Sequence, residues 1–547
     1  MYIESVPNRK SPPTLLLRES YREKGVVKKR TIANLTKWPK KLIADMKSSL
    51  AGKTIEEQSE VQTNIINELE SGPVFGVLAV LKNIADEIGI TKALGTTRLA
   101  RLTLFLILAR ISHQGSRLSA VRWVRNHAVK EVLDLNYFNE DDLYMALDWV
   151  EENQEKIEKI LYKKYVKENG QPPVLVLYDI TSAYLEGEMN ELGEYGYDRD
   201  KKKGKKKQIV IGLLTGPDGE PLSVEVFRGN TTDPTTVSDQ IKKLINRFGV
   251  DEVVFVGDRG MVKTKGKKAI KAIDNFFYIT ALTDPQIRKL LKEDIFQVDL
   301  FDEKIMEVAG NEGKRYILRR GQSTQSKEHY RREDKVKRLR KLIKERNIFV
   351  SGSARAKPEA GLKKLNSWTI GHKISSFVSL SLENSQLKMD IDKEKKTENS
   401  LLDGCYVIET DVSEDKLDKE TVWDRYGDLQ KVERDFRRMK TTLIEVRPIF
   451  VRKEKRTRGH VFISMLSLKI ARLMESRLYN VFQTTRESDD AVTIKDAIAA
   501  LLRLNLQYYH IGNQTVVGLP KPDKYQQKIL DALNVKIKAP ITTSIRD

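Results

Sequence analysis

The sequence predicts a multi-domain α/β protein built around a mixed sheet with helical layers. Three observations carry that expectation. First, residues 174–186 (VLVLYDITSAYLE), 208–216 (QIVIGLLTG) and 221–229 (PLSVEVFRG) are three successive strand-like runs. They are followed by a helical pattern at 234–248, an apolar run at 252–257, a second helix at 263–274 and a last strand at 276–282. Second, Leu429, Val432, Phe436, Met439 and Leu443 recur at spacings of three and four, the period of a helix that buries one stripe. Third, Asp179 interrupts one apolar strand and Asp258 directly follows another, places where a bare carboxylate is costly without a partner or a metal.

The order βββαβαβ is that of ribonuclease H, in which the first and fourth strands are neighbours, so Asp179 and Asp258 would face one another across that pair. The residues around this core read as follows. Residues 14–21 and 26–35 flank a Glu-Lys-Gly turn and predict a small basic hairpin within residues 1–50. Residues 51–170 read as helical, with Arg98, Arg101, Arg110, Arg117, Arg122, Trp123 and Arg125 spread along apolar helices. Such a region suits either DNA binding or packing with a solvated basic face. The core then occupies 171–285 and 404–482, interrupted by an insertion at 286–403 that holds a very basic helix at 331–346. A strand at 405–410 leads back to the helix of Glu433, a long apolar helix at 460–482 closes the core, and residues 483–547 add one or two helices with an irregular end.

Composition narrows the partner. The 547 residues carry 97 Lys and Arg against 77 Asp and Glu, a net charge of +20, so the surface should attract a polyanion and nucleic acid is the first expectation. The longest apolar run, 102–111, is about half of what spans a bilayer, so no membrane role is expected. A single cysteine, Cys405, permits no internal disulfide and no cysteine zinc site, and with no signal-peptide core at the N-terminus it points to the cytosol. No HExxH pair and no GxxxxGK[ST] loop occur, which disfavours zinc hydrolases and P-loop ATPases.

At about 100° per residue, Tyr426, Glu433, Arg437 and Lys440 share a second stripe beside the apolar one. With Asp179 and Asp258 this makes three carboxylates able to hold two divalent ions about 3.5–4 Å apart for phosphoryl displacement, with Mg²⁺ favoured by hard oxygen ligands. The plainer reading makes Glu433 and Arg437 an ordinary pair four apart, and Asp179 and Asp258 a strand-end acceptor and the start of a turn. The run at 201–207 (KKKGKKK), with Lys201, Lys203 and Lys206, either grips phosphates or is a solvated hairpin tip.

Five ordered segments, DITSAYLEGE, YGYDRDKKKGKKKQIVIGLL, VEVFRGNTTD, VVFVGDRGM and YGDLQKVERDFRRMKTTLIEVRPIFVRKEKRTRGHVF, resemble the DDE transposases of bacterial insertion sequences. The likeness is greatest to the insertion-sequence 1634 branch of the insertion-sequence-four superfamily. It implies Asp179, Asp258 and Glu433 as a metal-binding catalytic triad on a ribonuclease H-like fold with an insertion, and Tyr426 and Lys440 as signature residues around the Glu. The implied activity is cleavage at the element's terminal inverted repeats and joining of the 3′ ends to target DNA. It would use two Mg²⁺ ions, with Mn²⁺ as a substitute, in a homodimer on double-stranded DNA at the nucleoid. The superfamily's Arg two residues past the Tyr gap is here Leu429, so Arg425 or Arg437 would supply that cation. Trp368 is the one candidate in the insertion for stacking on an extruded base, though a tryptophan packed in a core or hairpin reads as well. Two rivals stay open: a nuclease of the same fold that only hydrolyses, and a DNA-binding derivative without catalysis.

Overall fold

The computed structural model describes residues 1–8, 12–23, 26–50, 68–197, 206–262, 264–353, 355–447, 449–482, 491–511, 514–538 and 543–545. Its centre is an eight-stranded sheet. In chain order the strands are β1 (Leu175–Tyr184), β2 (Gln208–Thr215), β3 (Pro221–Arg228), β4 (Val253–Gly257), β5 (Phe276–Ala281), β6 (Met306–Ala309), β7 (Arg315–Arg320) and β8 (Cys405–Thr410). They lie in the order β6-β7-β8-β5-β4-β1-β2-β3. The first three form the expected antiparallel meander, β4 pairs parallel with β1, and β5 pairs parallel with β4. Between β2 and β3 the chain turns at 216–219, where Gly219 takes the left-handed φ of 83° that favours glycine.

Alternation along the strands sorts the two faces. Leu175, Leu177, Val254, Val256, Ile279 and Ile408 enter one core. Val176, Tyr178, Val253, Phe255 and Tyr278 enter another, beneath helices Asp233–Phe248 and Thr264–Lys271. The first core runs on without a break through the long helix Glu454–Phe482 and helices Arg98–Ser112 and Glu140–Glu152. At Gly459 a Cβ would stand 2.3 Å from the Leu147 carbonyl oxygen, so glycine lets these helices touch. The apolar run 102–111 is thus an interior helix, and among the described residues no helix is long and apolar enough to cross a membrane.

Several elements differ from expectation. The N-terminal hairpin, Thr14–Glu23 with Val26–Asn34, gains a third strand at Tyr2–Val6. Strand Glu68–Val74 breaks the helical region and pairs with Asn505–Ile511 of the C-terminal tail, which together with Gln514–Gly518 and Thr543–Ile545 makes a four-stranded sheet. His510 pairs with Glu68, from the opposite end of the chain, so no local pattern announces it. The stretch 286–403 is divided: β6 and β7 extend the central sheet, and only the chain between β7 and β8 forms a lobe. That lobe holds helices Gln322–Ser351, Pro358–Gly371 and Lys393–Ser400 and a hairpin, Val378–Glu383 with Gln386–Ile391. It has a small core of its own around Val336, Leu339, Leu365, Phe377 and Leu387.

Candidate active site

Strand alternation aims the two aspartates. Leu175 and Leu177 face the core shared with the long helix, so Asp179, two residues on, falls on the same face; so does Asp258 after Val254 and Val256. The parallel register pairs Leu177 with Val256 and Tyr178 with Gly257, and one step further along stand Asp179 and Asp258. Neighbouring strands are about 4.8 Å apart, so the two residues are adjacent. Asp258 is exposed at the strand's end and opens a turn in which its carbonyl accepts from the Met261 amide at 2.9 Å. An Asp179 carboxylate oxygen accepts from the Ile180 amide at 2.8 Å.

Helix Leu429–Arg437 packs on this face. Leu429, Val432, Phe436, Met439 and Leu443 are all buried, as their spacing predicts, and Glu433 and Arg437 lie exposed beside them. The helix is not the single run expected. Tyr426 belongs to the preceding helix, Lys419–Gly427, and the break falls at Asp428, whose carboxylate is drawn between Arg425 at 2.8 Å and Lys431 at 2.9 Å. After Arg437 the chain widens into a π-turn, Arg438–Thr442, a feature frequent at functional sites. From it Lys440 donates to the Thr181 hydroxyl at 2.6 Å, on the same face of β1 as Asp179. On the helix's other edge Asp435, wholly buried, is gripped by Arg438 and Arg472 at 2.6 Å each.

Asp179, Asp258 and Glu433 line one cleft of about 1400 Å³ between the sheet and the lobe. Cations line it from both parts: Arg259, Arg434 and Arg437 come from the elements that carry Asp258 and Glu433, Arg319 from β7, and Arg331 and Lys335 from the lobe helix. The donor chemistry suits a hard divalent ion, since all three groups are carboxylates open to the same water. Their spacing is open, however: among the described residues no three Asp, Glu, His or Cys side chains stand close enough together to hold one ion. The three carboxylates thus share one cleft without converging on a common ion position.

The Tyr426 hydroxyl donates to an Asp258 carboxylate oxygen at 3.2 Å. Burial, then the neighbouring Tyr406 and Asp258, push its pKa well up, so the phenol keeps its proton. Leu429 is sealed in the apolar seam, and of the two cations considered in its place Arg437 lines the cleft, whereas Arg425 is taken up by Asp428. Trp368 is half-buried in the lobe and stacks on His372 at 3.8 Å, away from the cleft lining, which is the packing role. Lys201 and Lys203 lie outside the described residues. Lys206 pairs with Glu186 at 2.7 Å. Of the helical arginines, Arg98 pairs with Asp142, Arg101 with Asp134, and Arg117 is buried against His460, so much of that basic character is internal or neutralised. The sequence reading missed Tyr406, Trp423, Arg259, Arg319 and Arg434. Only Arg259, next to Asp258, and Arg434, next to Glu433, had a signal within the motifs; Arg319 and Tyr406 come to the cleft through pairing of β7 with β8, and Trp423 on the helix that follows β8.

The family-level description of this fold and site is a transposase. The sequence model of the Transposase DDE domain matches residues 170–469, more than half of the chain, and the chain belongs to that family. Its branch is set by the N-terminus: the model described as IS1634 family transposase, N-terminal domain, matches residues 3–64. No curated protein matches the chain. Among solved structures it is similar to a piggyBac transposase synaptic complex with hairpin DNA, at 10% identity and a TM-score of 0.33, covering 78% of this chain and 76% of that one. It is also similar to a Mos1 transposase paired-end complex with left transposon end, at 9% identity and a TM-score of 0.14, covering 43% of this chain and 64% of that one. At these scores neither likeness bears on fold or activity.

Proposed function

We propose that this transposase binds the terminal inverted repeats of its own insertion sequence as a homodimer, cleaves DNA there, and joins the freed 3′ ends to target DNA. The observation that carries the reading is the adjacency of Asp179 and Asp258 on one sheet face beside the Glu433 helix, at the floor of a cleft with cationic walls. A ribonuclease H-like core is supported by the order and direction of β1 to β5.

In the cleft the chain's own groups do the following. Arg259, Arg434 and Arg437 neutralise a phosphodiester backbone drawn toward the carboxylates, and Arg331 and Lys335 hold the duplex from the lobe side. Lys440, fixed on Thr181, sets a cation beside Asp179 that orients the scissile phosphate. Asp179, Asp258 and Glu433 would hold two divalent ions, Mg²⁺ by preference and Mn²⁺ as a substitute, which supply activation of the attacking oxygen and stabilisation of the leaving one. Tyr426 holds the Asp258 carboxylate in a fixed rotamer. Glu433 is exposed on the cleft side of its helix, and DNA binding would bring it to the aspartates.

The test is purified protein on labelled element ends with a target plasmid and Mg²⁺. Cleaved ends and joined products are expected, and chelation of the metal should stop both while leaving end-binding. Cleavage without joined products would reduce the chain to a nuclease.

A further inference from the structure

A row of side chains that begins outside the recognised motifs runs through Tyr426 and ends on the Asp258 carboxylate. Tyr406 is the second residue of β8, and the register sets it directly opposite Arg319 of β7. Its hydroxyl donates to the Tyr426 hydroxyl at 3.3 Å, and the Tyr426 hydroxyl donates in turn to Asp258 at 3.2 Å. The direction is fixed by proton count. An ionised carboxylate only accepts, so the single Tyr426 proton goes to Asp258, and the bond between the two phenols must use the Tyr406 proton. Trp423 braces the Tyr406 ring edge-on, with centroids 5.9 Å apart at 75°, and the Arg319 guanidinium lies 5.3 Å over Trp423. All five groups line the cleft.

We infer that Tyr406 is a positioning residue for the cleavage reaction, acting on Asp258 through Tyr426. The inference rests on the reading of Asp258 as a catalytic carboxylate. Without the Tyr406 proton, the Tyr426 oxygen is left with an unfilled acceptor site in a half-buried position and is freer to turn away from Asp258. Both strands that carry the row lead directly into the lobe, since β7 ends at Arg320 and β8 begins at Cys405. The carboxylate is therefore oriented by the same strands that bear the lobe's cationic wall.

The experiment is a double-mutant cycle on the full chain with Tyr406→Phe and Tyr426→Phe, each of which keeps the ring and removes one hydroxyl. Cleavage of labelled ends in Mg²⁺ and Mn²⁺ binding by electron paramagnetic resonance are read in parallel, with Asp258→Asn as control. Tyr406→Phe should lower cleavage about fivefold, the size of one net hydrogen bond, and weaken Mn²⁺ binding to a similar degree. In the Tyr426→Phe background the same change should cost less than about twofold, because the path is already cut. Equal losses in both backgrounds would mean that Tyr406 supports the fold only, and parent-like cleavage and Mn²⁺ binding by Tyr406→Phe would equally overturn the inference. If Asp258→Asn itself cleaves normally, the reading of the site fails instead, which separates the two.

Discussion

Lys440 donates to Thr181 at 2.6 Å, and this contact ties the π-turn after the Glu433 helix to the strand that carries Asp179. A cation so placed contributes binding and orientation without generating the nucleophile. Lys440→Ala should therefore lower cleavage about tenfold, the order of one charge-assisted hydrogen bond, with joined products still detectable. Rates on labelled ends check it, and a loss as complete as that of Asp258→Asn would place Lys440 among the groups that generate the nucleophile.

Asp435 fixes the same helix from its other side. It is wholly buried between Arg438 and Arg472, so Asp435→Ala leaves two cations with their shared partner gone. Breaking a buried pair in this way costs about 3–5 kcal/mol, and the melting temperature should fall by several degrees. An unchanged melting temperature would mean that water reaches the arginines and no buried network exists.

Salt dependence separates the cleft from the lysine run. Arg331 and Arg434 line the cleft, and replacing each with Ala should reduce the log-log slope of DNA affinity against salt by about 0.9 for every phosphate that is no longer neutralised. Lys206, already paired with Glu186, should change the slope little when replaced. The opposite pattern in a salt titration would move the DNA path out of the cleft.

His460 makes stability pH-dependent. Its Nδ1 accepts from Arg117 at 2.8 Å and its Nε2–H donates to the Val446 carbonyl at 3.0 Å, tying the chain beyond the Glu433 helix to the helical region. Burial first, then the Arg117 and Arg110 cations, hold its pKa well below the ordinary 6.5. The unfolded chain takes up a proton as pH falls through about 6.5, and the folded chain does not, so this contribution to stability is complete above 6.5 and is lost progressively below it. Asp411, pushed up to about 6 by burial, works in the opposite sense between 3.8 and 6. The difference between parent and His460→Gln melting curves from pH 7.5 to 5 isolates the histidine. The parent should lose more on acidification, and parallel curves would refute the assignment.

The central sheet was legible because β1 to β5 are short-range: each strand is a contiguous apolar run, and their neighbours follow from a known order. The three carboxylates were legible because a charge inside or directly after a buried strand stands out, and because the Glu433 helix carries its stripe openly. What escaped depends on distance. Glu68–Val74 pairs with a strand from the opposite end of the chain. β6 and β7 are short and rich in charge, and become strands by joining β8. Tyr406 and Trp423 are ordinary aromatic residues until β8 and the helix after it bring them to Tyr426. The break at Asp428 lies just before Leu429, the first residue of the apolar stripe, so the spacing carried no sign of it.

Asp258→Asn tests the account most directly. The change removes a charge and keeps the side chain's size, so end-binding should stay near the parent level. If Asp258 holds metal as proposed, its loss removes several kcal/mol of transition-state stabilisation, and each ~1.4 kcal/mol is a tenfold change in rate. On labelled element ends in Mg²⁺ the variant should give neither cleaved nor joined products. Cleavage at the parent rate would mean that Asp258 belongs only to its turn and that the chemistry of this chain lies elsewhere.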